Sequence, residues 1–171
     1  MKTLKLSMIS AAVIAAMGMR VAQADVAVDA SGSQVNVASS TTVAKKCTTL
    51  TGGTISFAAY VPDATDANDA ATTVKVNCTK GTQVTISMDK GQGSGASTTT
   101  RKLASADDSL NYSLYTDTSR SDVWGEDAAA VVFAGEGLLS QTTLDVYGRI
   151  AAGQDVKPGS FSDTVTVTLS Y

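Results

Sequence analysis

The feature that most limits what this chain can fold into is a strict period-two alternation of apolar and small polar residues. Ile55 and Phe57 alternate with Thr54 and Ser56, and Val74, Val76 and Cys78 with Thr73, Lys75 and Asn77. Val84, Ile86 and Met88 alternate with Thr85 and Ser87, and Leu110, Tyr112 and Leu114 with Asn111 and Ser113. Leu144, Val146 and Ile150 share a parity broken only by Gly148, and Val165, Val167 and Leu169 alternate with Thr164, Thr166 and Thr168. Successive side chains of a strand point to opposite faces, so each run reads as a strand with one face on a core and one in water. Strands of a parallel sheet, buried on both faces, show continuous apolar runs instead; the alternation therefore favours antiparallel pairing. Ala128 to Ala130 is too short and unpatterned for an α-helix. Between the runs, Lys80-Gly81 reads as a tight hairpin into Gln83, Gly91 to Gly95 as a flexible turn, and Pro158-Gly159 as the turn opening the last strand. About seven such strands in one domain point to a β-sandwich.

The two ends carry further information. Lys2 and Lys5, the apolar stretch Met8 to Met19, and the small-x-small triplet Ala22-Gln23-Ala24 have the form of a secretory signal peptide over residues 1–24. The apolar stretch is well short of the roughly 20 residues that span a bilayer, which argues against the alternative of a membrane anchor. Removing the leader, with its basic Lys2, Lys5 and Arg20, takes the net charge from −3 to −6. An acidic surface makes nucleic acid a poor partner. The mature chain, Asp25 to Tyr171, has no second apolar segment long enough to cross a membrane. Its first part, an arm over residues 25–42, alternates as well: Val26, Val28 and Ala30, a break at Ser31-Gly32-Ser33, then Val35 and Val37. No tight turn joins the arm to the next strand, so it reads as having no local partner. It is either the first strand of its own sandwich, residues 43–171, or a strand meant for another molecule.

Cys47 and Cys78 are the two cysteines. Beside a signal peptide, a single pair reads as one structural disulfide made in the periplasm, with two free buried thiols as the alternative. Cys78 shares the inward parity of Val74 and Val76, whereas Lys45 shares that of Cys47, so a bulge or strand end is expected there. Histidine, the commonest general base and metal ligand, is absent. Asp63, Asp66, Asn68 and Asp69 lack calcium-loop spacing, and Gly91, Gly93 and Gly95 are not followed by the Lys-Ser/Thr of a phosphate loop. Trp124 reads as a core residue. No catalytic constellation, metal site or cofactor motif stands out, and a non-enzyme is expected.

Three separated motifs carry a resemblance. Leu110 to Asp117, followed by Arg120 and by Val123-Trp124-Gly125, resembles the central signature of the spore coat protein U domain. So do Val146 to Ile150 and the ending Lys157 to Val167, with Gly53 to Phe57 fitting the same frame. The match runs over nearly all of residues 35–171. This domain is typical of subunits of archaic chaperone–usher pili, and the chain is similar to their major rod pilins. The resemblance implies an immunoglobulin-like antiparallel β-sandwich lacking its final strand, completed by a donor strand from a neighbouring subunit. It implies a homopolymer of identical pilin subunits, reached through a periplasmic chaperone and an outer-membrane usher. It implies a location on the cell surface, in a pilus that supports adhesion and biofilm formation.

Under that reading Val26, Val28, Val35 and Val37 are the donor-strand residues, and which half of the arm docks stays open. Val165, Val167, Leu169 and Tyr171 would border the acceptor groove and the chaperone-binding edge, the Tyr171 carboxylate serving as an anchor for basic chaperone residues. The alternatives are an adhesive tip module of the same pilus and a free secreted sugar-binding β-sandwich.

Overall fold

The computed structural model describes residues 26–28 and 35–171. The leader expected over 1–24, the start at Asp25 and the Ser31-Gly32-Ser33 break lie outside the described residues. The chain divides into two units, 1–43 and 44–171.

In the first unit β1 (Val26–Val28) pairs antiparallel with β2 (Val35–Val37), with Val26 opposite Val37 and Val28 opposite Val35. The arm therefore has a local partner, contrary to the expectation from sequence: its two halves pair with each other. Val26 and Val28 stand on the opposite sequence parity to Val35 and Val37, which does not matter between two paired strands, because the pairing register and not the count along the chain sets which residues lie opposite.

The second unit is an antiparallel β-sandwich. One sheet has the order β3-β4-β9-β7-β6, made of Cys47–Thr51, Asn68–Cys78, Thr142–Ile150, Ser109–Tyr115 and Arg101–Ala104. The other has the order β10-β5-β8, made of Val167–Ser170, Gln83–Met88 and Val131–Ala134. Every ladder in both sheets is antiparallel. The inward parity of each strand meets between the sheets: Val74, Val76, Leu114, Val146 and Ile150 from the first pack with Val84, Ile86 and Met88 from the second. Trp124 is buried among them and donates its indole N–H to the Ile86 carbonyl at 3.0 Å, so a large ring fills the core without an unpaired donor.

Several local expectations change. Lys80-Gly81 does form a tight turn, with the Thr82 N–H donating to the Thr79 carbonyl at 3.0 Å and Gly81 at φ 76°. It is not a hairpin, because β4 and β5 belong to different sheets. Both strands aim their apolar parity at the same core, and that is satisfied by passing from one layer to the other. The Gly91 to Gly95 stretch is a held loop: the Gly91 N–H donates to Asp89 Oδ1, the Gln92 N–H to Asp163 Oδ1 and the Ala96 N–H to the Gly93 carbonyl. The segment Asp127–Ala129 is one 3-10 turn. Strand β8 alternates in burial although Val131 to Ala134 is apolar throughout, so its two faces differ in cover and not in residue type, and β6 is equally short, with four residues.

Cys47 lies opposite Cys78 and is bonded to it, and the ladder shifts register between Cys47 and Thr49. The interruption expected at Cys47 is this irregularity, which falls at the first residue of β3. Gly148 explains the gap in the parity of β9. It is buried, and a Cβ there would stand 2.7 Å from the Phe57 ring and 3.4 Å from Ile55.

Candidate functional site

The ladder of β3 stops at Thr51, yet the alternation continues. Ile55 and Phe57 are half-buried, between exposed Thr54, Ser56 and Ala58. Among the described residues, 53–60 make no backbone-to-backbone hydrogen bond. Side chains hold this segment instead. The Phe57 ring meets Tyr112 edge-on at 6.1 Å, and Asn68 Nδ2 donates to the Ala58 carbonyl at 2.7 Å. The Tyr60 hydroxyl donates to the Ala151 carbonyl at 3.0 Å and accepts from the Gln154 N–H at 2.7 Å.

Across from it runs the C-terminal segment. Phe161, Asp163, Val165, Val167 and Leu169 are half-buried and alternate with exposed residues. Ser162 exchanges two backbone hydrogen bonds with Ala104 of β6, at 2.8 and 3.0 Å, and from Val167 the chain pairs with β5. β10 is an edge strand, so its other side is free of any ladder.

Two cavities lie between these segments. The smaller, ≈260 Å3, is lined by Gly52 to Ile55 and by Asp163 to Val165 with Val167, and reaches Val74, Met88, Leu114 and Val146. The larger, ≈780 Å3, is lined by Thr54 to Tyr60 with Pro62 and by Val156 to Gly159 and Phe161 to Asp163, and reaches Leu110 and Ile150. The start of one wall meets the end of the other, so the walls run in opposite directions. Together they frame a slot about 30 Å long at an extended rise per residue. Its floor is the core itself. An apolar slot with unpaired backbone on its rims has the shape of a missing strand.

The one acidic side chain lining either cavity, Asp163, lines both. Its Oδ1 accepts from the N–H groups of Gln92 at 2.7 Å and Thr164 at 2.8 Å, and its Oδ2 from the Tyr112 hydroxyl at 2.8 Å. Burial, reinforced by the hydrogen bond to Asp163, pushes the Tyr112 phenol far above its usual pKa, so it stays a proton donor. Nearby, burial works against the Asp89 carboxylate, but N–H donors from Thr166 and Gly91 and the charge of Arg101 outweigh it and hold its pKa below the usual value. Asp163 was not singled out from the sequence. The available signal was its position, a polar residue in the inward parity of Phe161, Val165 and Val167.

Of the residues assigned from sequence, Val165 and Val167 line the smaller cavity. Leu169 packs on the core from β10, while Tyr171 is 56% exposed; neither lines the slot. Val26, Val28, Val35 and Val37 lie in the β1–β2 pair of the other unit. The motif residues separate by role. Tyr112 and Leu114 form floor, Trp124 is core, and Gly148 lets Phe57 approach. Arg120 and Arg149 bind Asp69, at 3.2 and 2.8 Å, with the Arg120 guanidinium 5.8 Å from the centre of the Tyr147 ring.

An antiparallel sandwich with a strand-wide opening onto its core defines an incomplete β-sandwich. Residues 33–168 match the Spore Coat Protein U domain, and the chain belongs to that family. It is 30% identical over 132 residues to "Protein U" of Myxococcus xanthus, covering 70% of this chain and 73% of that protein. Among solved structures it is similar to a chain in the CsuC–CsuE chaperone–tip adhesion subunit pre-assembly complex from archaic chaperone-usher Csu pili of Acinetobacter baumannii. That likeness has a TM-score of 0.56 at 18% identity and covers 76% of this chain. The chain spans 41% of the length of that neighbour, and the likeness is one of fold.

Proposed function

We propose that this protein is a structural subunit of a surface pilus, assembled by the chaperone–usher route, in which each copy inserts its N-terminal arm into the open slot of the next. The observation that carries this reading is the slot: a strand-length opening onto the core, with free backbone along both rims. Strand addition supplies what such an opening lacks, since backbone hydrogen bonds give affinity and alternate side chains fill the pockets. The arm suits the task. Its valines are β-branched and small, and each one buried would contribute about 1.5–2 kcal/mol. A hairpin of two three-residue strands is marginal in water, so giving it up for a full slot costs little. Membership of the spore coat protein U family and the fold shared with a chain of a pilus chaperone–subunit complex support the same reading. The partners are then further copies of this chain, a periplasmic chaperone that covers the slot before assembly, and an outer-membrane usher.

We assign the chain to the rod of the pilus. A subunit inside a filament needs both a donor arm and an acceptor slot, and this chain carries a candidate for each. A terminal subunit needs only one of the two. The test is deletion of residues 25–37. The truncated protein is expected to fold, to keep its disulfide and to form no fibres. Fibres from the truncated protein, or a stable monomer from the full chain without any chaperone, would overturn the reading.

A further inference from the structure

The slot is apolar along most of its length but not at its middle. There Asp163 stands between the two cavities. Its carboxylate is fixed in place by three donors, from Gln92, Thr164 and Tyr112. A carboxylate offers about four acceptor sites, so one is left for a fourth donor. Space is reserved around it: a Cβ on Gly91 would fall 2.1 Å from Asp163 Oδ2. A strand laid over the slot strips water from this group. An inward valine at that point would leave the remaining acceptor site unmet, whereas a hydroxyl would satisfy it.

On the parity of its valines the inner half of the arm carries hydroxyls at Ser39 and Thr41, and Ser39 is the one that directly follows the valines. The parity of Val35 and Val37 continues through Ser39, Thr41 and Val43. Val37 and Val43 are 75% and 78% exposed, so neither is committed to a core of its own. The wall of the slot reads Phe161, Asp163, Val165, Val167 along its inward parity. Every ladder of the sandwich is antiparallel, and antiparallel pairing is the more stable per residue. Laid antiparallel, the two patterns match in one register: Val35 beside Val167, Val37 beside Val165, Ser39 beside Asp163 and Thr41 beside Phe161. A slip of one residue turns the valines outward. A slip of two one way sets Val37 on the carboxylate; the other way it sets Thr41 there but lays the hydroxyl of Ser39 against Val165.

We propose that Asp163 fixes the register of the donated arm by accepting a hydrogen bond from Ser39 of the neighbouring copy. The proposal rests on the strand-donation reading above and adds its specificity-determining contact. It is tested with full-length chains whose polymers are resolved on unheated gels. S39D sets two carboxylates face to face and is expected to lower polymer yield by roughly tenfold or more, because like charges directly opposite repel. S39D combined with D163N should recover most of that yield, and S40D, on the outward parity, should leave it unchanged. A second measurement does not depend on how D163N folds. With S39K, carbodiimide cross-linking of polymers is expected to join position 39 to Asp163 of the next subunit, read by mass spectrometry. Wild-type polymer yield from S39D, or a cross-link from position 39 to a different acid, overturns the register. V35D/V37D separates the two claims: if it abolishes polymers while S39D does not, donation stands and the register falls; if it too polymerises normally, donation by the inner half of the arm is wrong and the register falls with it.

Discussion

Arg101 shows how much of this domain rests on one side chain. It is fully buried, and its guanidinium donates to four carbonyls: Asp89, Thr98 and Trp124, each at 2.8 Å, and Met88 at 3.2 Å. Burial lowers its pKa, but an arginine remains charged, and the four carbonyls spread that charge over the end of β5, the loop before β6 and the Trp124 backbone. R101M keeps much of the volume and removes every donor. It should destabilise the domain by about 3 kcal/mol or more, since several buried carbonyls lose their partners at once; urea denaturation measures this. Asp89 works beside it. Its pKa is depressed, so its charge stabilises the fold above the unfolded value, near pH 4, and the contribution disappears as pH falls through the folded value. D89N keeps an acceptor oxygen but no charge. The stability gap between wild type and D89N should be constant near neutrality, narrow below about pH 4 and close in stronger acid. A gap that persists at low pH would place the contribution in geometry and not in charge.

At the scale of elements, the arm and the two walls of the slot have one property in common: their apolar alternation is not matched by a full complement of ladder partners. Residues 53–60 alternate in burial yet have no ladder, and β10 has a ladder on one side only. The arm pairs with itself over three residues a side. The two halves of the arm are not equivalent candidates for the slot. The inner half continues its parity through Thr41 to Val43, whereas the outer half meets Gly32 on its own parity. V35D/V37D is therefore expected to abolish polymers and leave the slot available to a chaperone. V26D/V28D should lower the yield by less. Equal loss from both pairs, measured on the same unheated gels, would mean that the whole arm inserts.

For the whole molecule, the alternation of its runs, its cysteine pair and its turn residues were enough to read an antiparallel sandwich, one disulfide and the core position of Trp124. These follow from local rules, since a period of two places side chains on a face whatever the face later meets. Which strands share a sheet was not legible: β4 and β5 lie on either side of a tight turn and still belong to different layers. Nor was the route of Arg101 into the interior, because nothing in Thr98 to Lys102 marks an arginine for burial. The slot was foreshadowed in the parity of Val165 and Val167 but located only in three dimensions, where 53–60 and 156–167 approach and leave a gap. Which side of each strand is apolar follows from the alternation alone. Which of those sides are covered is settled only in three dimensions, because cover depends on contacts between residues some 50 to 90 positions apart, as where Phe57 settles over Gly148 and Asp163 takes the hydroxyl of Tyr112.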